Sequence, residues 1–92
     1  MKIIKVIYNN QTTNILDELK NIKINHILET YNIDFYKDRK KAIPIMTRFG
    51  TKNVPLIVFA DENMEEYAAI WNESNSKITS DLITSYLNEI SI

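Results

Sequence analysis

The 92-residue sequence contains no cysteine, one histidine, one glycine and two prolines. Without cysteine there is no thiolate, so the chain can neither exchange thiols for disulfides nor be cross-linked by a disulfide bond. The single histidine, His26, does not make a zinc ligand set in the absence of cysteine, and we expect no metal and no other cofactor. The low glycine and proline content argues against a low-complexity or disordered segment. The missing residues therefore exclude thiol chemistry but not a folded domain.

Long apolar runs and a strong net charge are absent as well. No run approaches the roughly 20 apolar residues that a membrane-spanning helix needs, and Lys5 interrupts the apolar start of the chain. A formal net charge of −1 gives no general attraction to nucleic acid or to an anionic membrane. We therefore expect residues 1–92 to form one cytoplasmic domain that is stabilised by packing alone. The abundance of Ile and Asn, which AT-rich codons favour, suits an AT-rich bacterium or a phage, and in a phage the chain could be a virion component.

Strand and helix patterns alternate along the chain. β-Branched and aromatic residues predict strands, and apolar residues at helical spacing predict helices. Two apolar stripes follow residue 14, one ending at Ile22 and one at Tyr31, and they predict a helix that bends between them. The predicted elements are strand 2–8, bent helix 14–31, strand 33–36, helix 40–49, strands 56–60 and 66–71, and a helix that begins after Thr79.

Individual residues mark the ends of these elements. Gly50, the only glycine, follows the second helix, where a left-handed residue commonly ends a helix. Pro44 fits this helix in its first turn, because deeper in a helix it removes a backbone hydrogen bond. A polar turn at residues 37–39 would then precede the helix. In the last strand, strict alternation predicts that Tyr67 and Trp71 share one face.

The segment from Arg48 to Phe59 carries the most specific pattern. An aromatic-Gly helix end, Phe49-Gly50, leads through a short link to Val54-Pro55 and a continuous apolar strand. This arrangement resembles the second half of a thioredoxin fold, and the order of the predicted elements extends the resemblance over nearly the whole chain. The resemblance implies an α/β fold with a four-stranded mixed sheet flanked by three helices, in the order βαβαββα. It also implies a cis peptide bond before Pro55 and a backbone at Val54 that meets an extended substrate.

The cysteine pair of this family lies just after the first strand, where the chain reads Gln11-Thr12-Thr13-Asn14-Ile15-Leu16. The family positions correspond to Thr12 or Thr13 and to Ile15 or Leu16, none of which provides a thiolate. Glutathione transferases use a hydroxyl near this position, but they need a second, helical domain, and a hydroxyl nucleophile needs an adjacent base. We therefore expect no redox activity and no other catalysis.

The expected function is a non-redox binding or structural module, a small subunit that docks onto a larger protein assembly. In the thioredoxin fold the loop after the first strand, the residue before the cis proline and the turn after the last strand converge on one edge of the sheet. We name the corresponding residues of this chain the proline edge. They are Asn10, Gln11, Thr12, Thr13, Asn53, Val54, Pro55, Asn72 and Glu73. The alternative is a degenerate glutaredoxin-like domain that binds glutathione or an extended peptide at this edge, with Lys52 as the nearby cation.

A cluster of basic residues offers a second docking surface. This basic segment consists of Lys37, Arg39, Lys40 and Lys41, and it would favour an acidic partner through charge attraction. It lacks the interleaved aromatic residues of single-strand binders, so we expect no nucleic-acid ligand. The sequence leaves the proline edge and the basic segment open as alternative docking surfaces.

Overall fold

The computed structural model describes residues 2–71 and 78–89. Seven secondary-structure elements make up most of these residues. They follow one another in the predicted order βαβαββα. The strands are β1 (Lys2–Tyr8), β2 (His26–Asn32), β3 (Leu56–Ala60) and β4 (Glu66–Trp71), and the helices are α1 (Ile15–Leu19), α2 (Tyr36–Phe49) and α3 (Ser80–Glu89). None of the helices in these ranges is long and apolar enough to cross a membrane.

The four strands form one mixed sheet in the order β2-β1-β3-β4. β2 runs parallel to β1, from Lys2 opposite His26 to Tyr8 opposite Asn32. β3 runs antiparallel to both β1 and β4. The carboxyl ends of β1, β2 and β4 and the amino end of β3 therefore lie at the same end of the sheet. The predicted fold class is confirmed.

Helices cover both faces of the sheet because β1 and β3 are apolar on both faces. Ile4 and Val6 of β1 pack with α1 and α3, whereas Ile7 packs with α2. Every residue of β3 is fully buried. The α1/α3 cluster comprises Ile4, Val6, Ile15, Leu19, Ile22, Ile57, Phe59, Ile70, Ile78, Ile83 and Leu87, and the α2 cluster comprises Ile7, Ala42, Ile45, Leu56 and Val58.

The predicted bent helix that ends near Tyr31 is wrong. The first helix ends at Leu19, and β2 occupies most of its predicted second half, paired with β1 along a full length of seven residues. The apolar spacing there fits a helical stripe, yet Ile27 and Leu28 lie on opposite faces of an edge strand and are 48% and 41% exposed. Pairing with β1 outweighs the local helical pattern.

The predicted strand and polar turn over residues 33–39 are also wrong, because α2 already begins at Tyr36. Asp38 in the first turn of α2 accepts a hydrogen bond from the backbone N–H of Asn32 at 3.0 Å, which ties the helix start to the end of β2. Pro44 consequently lies inside the helix and not in its first turn. Because proline has no backbone N–H, α2 lacks one backbone hydrogen bond at this residue. Pro44 is exposed, so the gap faces solvent.

A β-bulge moves Tyr67 to the face opposite the predicted one. The register between β3 and β4 shifts at Phe59 and Ala60, so Tyr67 joins the α1/α3 cluster while Trp71 stays with the α2 cluster. The ring of Tyr67 stacks on Phe59 with centroids 6.3 Å apart, and Tyr86 of α3 stacks on Phe59 at 5.5 Å. The bulge thereby gathers three aromatic rings on the α1/α3 side.

Gly50 and Thr79 mark helix ends as predicted, whereas Pro44 does not. Gly50 follows α2 with φ 66° and ψ 28°, in the left-handed region, and its N–H donates to the carbonyl of Thr47 at 3.2 Å. Thr79 precedes α3, and its hydroxyl accepts the N–H of Leu82 at 3.2 Å. Each of these end signals depends only on residues that are near neighbours in the sequence.

The role of Gly50 can be tested by adding a single methyl group. We expect Gly50→Ala to lower the free energy of unfolding by about 1 kcal/mol, because an L side chain disfavours the left-handed backbone conformation. No atom lies within 4 Å of the position that a Cβ would occupy, so the loss comes from the backbone and not from a clash. Gly50→Asn is the matched control and should lose less, since asparagine enters this region more readily. Urea denaturation measures both variants, and an alanine variant as stable as the wild type would contradict the prediction.

Candidate docking site at the proline edge

The described part of the predicted proline edge lies at one end of the sheet. β1 ends here and β3 begins here, because Ile7 pairs with Leu56, so the connections that follow and precede these strands are neighbours. They carry Asn10, Gln11, Thr12, Thr13, Asn53, Val54 and Pro55. Asn72 and Glu73, which follow β4 in the sequence, lie outside the described residues.

The connection after β1 closes on itself through Asn9 and Thr12. The Thr12 hydroxyl donates to Oδ1 of Asn9 at 2.9 Å and accepts the backbone N–H of Asn9 at 2.9 Å. Oδ1 of Asn9 also accepts the N–H of Gln11 at 3.0 Å. An amide oxygen is not a base, and the only histidine, His26, begins β2 at the other end of the sheet. The Thr12 hydroxyl therefore closes a turn, and no described residue activates it as a nucleophile.

Neither Tyr31 nor Tyr67 is a tyrosinate base, and no metal-binding cluster occurs among residues 2–71 and 78–89. Burial raises the pKa of Tyr31, and the carboxylate of Glu29, whose Oε2 lies 3.4 Å from the hydroxyl, raises this pKa further. Burial also raises the pKa of Tyr67, with a smaller contribution from Asp61. Both phenols therefore stay protonated at neutral pH. These ranges contain no group of three or more potential metal ligands.

Asn32, the last residue of β2, anchors this end of the sheet, and it is missed by the sequence analysis. Asn32 is 4% exposed, and its Nδ2 donates to Oδ1 of Asn10 at 2.9 Å. Its Oδ1 accepts the N–H of Asp34 at 3.0 Å, and Oδ2 of Asp34 accepts the N–H of Asn10 at 2.7 Å. This cycle of hydrogen bonds joins the connection after β1 to the connection after β2. The Asn-x-Asp spacing, typical of an Asx turn, is the one signal in the sequence that points to it.

The connection before β3 presents an unpaired stretch of backbone. The Val54-Pro55 peptide bond is cis. Buried Thr51 shapes the approach to it, since its hydroxyl accepts the N–H of Asn53 at 3.0 Å and its own N–H donates to the carbonyl of Met46 at 3.2 Å. The backbone of Val54 forms no hydrogen bond with another described residue. One donor and one acceptor are therefore open at the proline edge.

An apolar groove lies against the first part of the same connection, where Thr51 and Lys52 line it. The connections at both ends of α2 lie at the same end of the sheet, one after β2 and one before β3, and the groove lies between them. One cavity of the groove has a volume of about 450 Å³, and a second cavity, which shares three lining residues with it, has about 370 Å³. Ile43 and Met46 line both cavities, and Ile43 is 52% exposed. The remaining lining residues are Ile33, Asp34, Arg39, Thr47, Gly50, Thr51 and Lys52.

The charged residues of the groove are mainly basic. Lys52 lines both cavities and forms no ion pair with a described carboxylate. Arg39 lines the smaller cavity, where its Nε donates to the carbonyl of Ile33 at 2.7 Å. Asp34, the acidic residue of the lining, accepts the N–H of Asn10. An anionic group in this groove would therefore meet two cations.

The basic segment lies in the first half of α2, beside the groove. Lys37, Arg39, Lys40 and Lys41 are all exposed, and none pairs with a carboxylate within the described ranges. Nζ of Lys40 lies 4.8 Å from the ring centroid of Tyr36. Arg39 belongs both to this segment and to the groove lining, so the basic segment and the groove adjoin each other.

The Asn32 network makes a prediction about stability. We expect Asn32→Ala to lower the free energy of unfolding by about 1–3 kcal/mol, because the amide oxygen of Asn10 and the N–H of Asp34 lose their partner. Asn25→Ala, at an exposed position, is the matched control and should change stability little. Chemical denaturation followed by circular dichroism measures both. Equal losses in the two variants would show that the network contributes nothing specific.

Comparison with solved structures identifies the fold. No protein-family model and no curated protein matches the chain. Sixteen chains of known structure match, including the exposed lipoprotein thioredoxin Etrx1 of Streptococcus pneumoniae strain TIGR4, with a TM-score of 0.63 and 13% identity over 97% of this chain and 84% of that one. A thioredoxin from Aeropyrum pernix matches with a TM-score of 0.62 and 12% identity over 97% of this chain and 74% of that one. A malarial protein matches with a TM-score of 0.63 and 13% identity over 100% of this chain and 99% of that one. The chain therefore has a thioredoxin-like fold in a form that lacks the Cys-x-x-Cys motif.

Proposed function

We propose that this chain is a non-catalytic docking module, a small subunit that binds an extended segment of a partner protein at the proline edge. The observation that carries the proposal is that the connection before β3 holds the unpaired backbone of Val54 and also lines, through Thr51 and Lys52, an apolar groove of about 450 Å³. An extended segment can pair with such a backbone by strand addition and place a side chain in the neighbouring groove. The fold thus keeps a surface for binding while the chain has no thiol for redox chemistry.

The groove indicates what the bound segment contains. Ile43 and Met46 favour an apolar side chain as the anchor. Lys52 and Arg39 favour a carboxylate close to that anchor, and the remaining basic residues of α2 extend the same preference outward. The partner is therefore an assembly that presents an extended segment with an apolar residue and acidic neighbours. In a phage, which the Ile- and Asn-rich composition suits, that assembly would be a virion or a cytoplasmic complex.

Binding of glutathione is the second candidate. Its peptide backbone would pair with Val54, and one of its carboxylates would meet Lys52, which has no carboxylate partner among residues 2–71 and 78–89. A tripeptide uses only part of a groove that continues past Ile43 toward Arg39. The continuation favours a longer peptide over glutathione.

Substitutions at the proline edge test the main proposal. A partner is recovered from the native source with the wild-type protein, and its affinity is then measured by calorimetry for defined variants. We expect Thr13→Arg with Asn53→Arg to weaken binding by about tenfold or more, because bulky charges obstruct the backbone of Val54. Both side chains are exposed and form no hydrogen bond with a described residue, so folding should be unaffected.

The matched control is Asn21→Arg with Asn25→Arg, which adds the same charges at exposed positions before β2, at the other end of the sheet. It should bind like the wild type. Lys40→Glu with Lys41→Glu tests the basic segment alone and should weaken binding only modestly. If this pair abolishes binding while the proline-edge pair does not, the basic segment is the docking surface and the proposal is wrong.

Glutathione binding has its own signature. Titration of reduced glutathione into ¹⁵N-labelled protein would shift the amide signals of Val54 and Lys52 if the second candidate is correct. Lys52→Ala should then weaken the interaction, because the carboxylate loses its cation. We expect no saturable shifts at millimolar glutathione, and saturable shifts at these two amides would favour the second candidate.

A further inference from the structure

The outer edge of β2 is an open strand edge. β2 is the terminal strand of the sheet and pairs with β1 through all seven of its residues, without a bulge. In a parallel pair, alternate residues of each strand direct their N–H and C=O groups toward the neighbour, so the other residues of β2 direct theirs outward. No strand within the described ranges lies beyond β2. The edge therefore offers a straight row of backbone donors and acceptors.

The opposite edge of the sheet is protected, whereas β2 is not. β4 is interrupted by the bulge near its start, and Glu66 on it forms an ion pair with Arg48 at 2.5 Å. Bulges, lysines and prolines are the devices that keep edge strands from pairing with other chains. Neither β2 nor β4 contains a lysine or a proline, so the two edges differ in the bulge that interrupts β4. The regular β2 edge is therefore the better pairing surface.

β2 also exposes large aliphatic side chains on both faces of the sheet. Ile27 lies opposite Ile3 on the α2 face and is 48% exposed. Leu28 lies opposite Ile4 on the α1/α3 face and is 41% exposed. A further strand hydrogen-bonded to β2 would cover part of both side chains, since cross-strand neighbours lie about 5 Å apart.

We propose that β2 pairs antiparallel with β2 of a second copy of this chain, so that two sheets join into one. The two-fold axis of such a pair is perpendicular to the sheet, so residues on the same face meet. The strand is self-complementary in the register that places Leu28 opposite Leu28 of the second copy. Ile27 then lies opposite Glu29, and His26 lies opposite Thr30, so no like charges meet.

Charge disfavours one competing register and does not oppose the pairing. In the register that places Glu29 opposite Glu29 of the second copy, two carboxylates face each other, which is destabilising. A formal net charge of −1 per chain leaves little repulsion between two copies. This proposal is independent of the docking function at the proline edge, because it rests on other residues and on another part of the sheet.

Sedimentation equilibrium of the full chain from micromolar to millimolar concentration tests the pairing. We expect the wild type to form a dimer reversibly and Leu28→Lys to raise the dissociation constant by about tenfold or more, because two ammonium groups meet and two leucines are lost. Leu82→Lys, at a comparably exposed leucine on α3, is the matched control and should dimerise like the wild type. Circular dichroism checks that each variant is folded.

Mixing two variants tests the register. Leu28→Lys and Leu28→Glu should each be monomeric where the wild type is dimeric, and an equimolar mixture should form a heterodimer because opposite charges then face each other. A wild type that stays monomeric at millimolar concentration would overturn the proposal. So would a dimer that Leu28→Lys leaves intact, or a mixture of the two charged variants that stays monomeric.

Discussion

The paired strands β1 and β3 lie in the middle of the sheet and carry apolar side chains on both of their faces. Such strands are stable in water only when a second layer covers each face. α1 and α3 cover one face, with Ile83 and Leu87 fully buried, and α2 covers the other through Ala42 and Ile45. The arrangement of the helices, and with it the position of every connection, follows from this two-sided burial.

The same constraint creates the candidate site. β2, the strand before α2, ends at the same end of the sheet at which β3, the strand after α2, begins. The chain therefore leaves this end and returns to it while α2 covers its face of the sheet. The connections on either side of α2 are therefore brought together, and the groove lined by Ile43 and Met46 lies between them. The buried Asn32 joins this end of the sheet into one polar network. The site thus depends on backbone geometry and apolar burial, neither of which requires a cysteine.

The turn after β1 is closed by a hydroxyl in a chain that has no thiol. The hydroxyl of Thr12 is hydrogen-bonded to Asn9 within this turn. This turn lies at the same end of the sheet as the unpaired backbone of Val54. Binding at one end of the sheet and pairing along the β2 edge would use different groups, so a two-fold pair of chains would carry two proline edges.

The sequence by itself determined the elements whose signals are local or whose burial is uniform. The β3 segment is a continuous apolar run, and β1 is rich in β-branched residues on both sides of Lys5. Gly50 and Thr79 mark helix ends through contacts with near neighbours. The pattern from Phe49-Gly50 to Val54-Pro55 carries the resemblance to the thioredoxin fold, and its helix end and its buried strand are local signals.

Only the tertiary structure decided the region between α1 and α2 and the network at its end. The spacing of Ile24, Ile27 and Leu28 fits a helix as well as a strand, and pairing with β1, distant in the sequence, selects the strand. Asn32 and Asn10 are 22 positions apart and meet only because β1 and β2 are parallel neighbours. Tyr67 changes face because of a bulge that depends on the register with β3. Non-local backbone pairing settles all three, and local sequence patterns do not encode it.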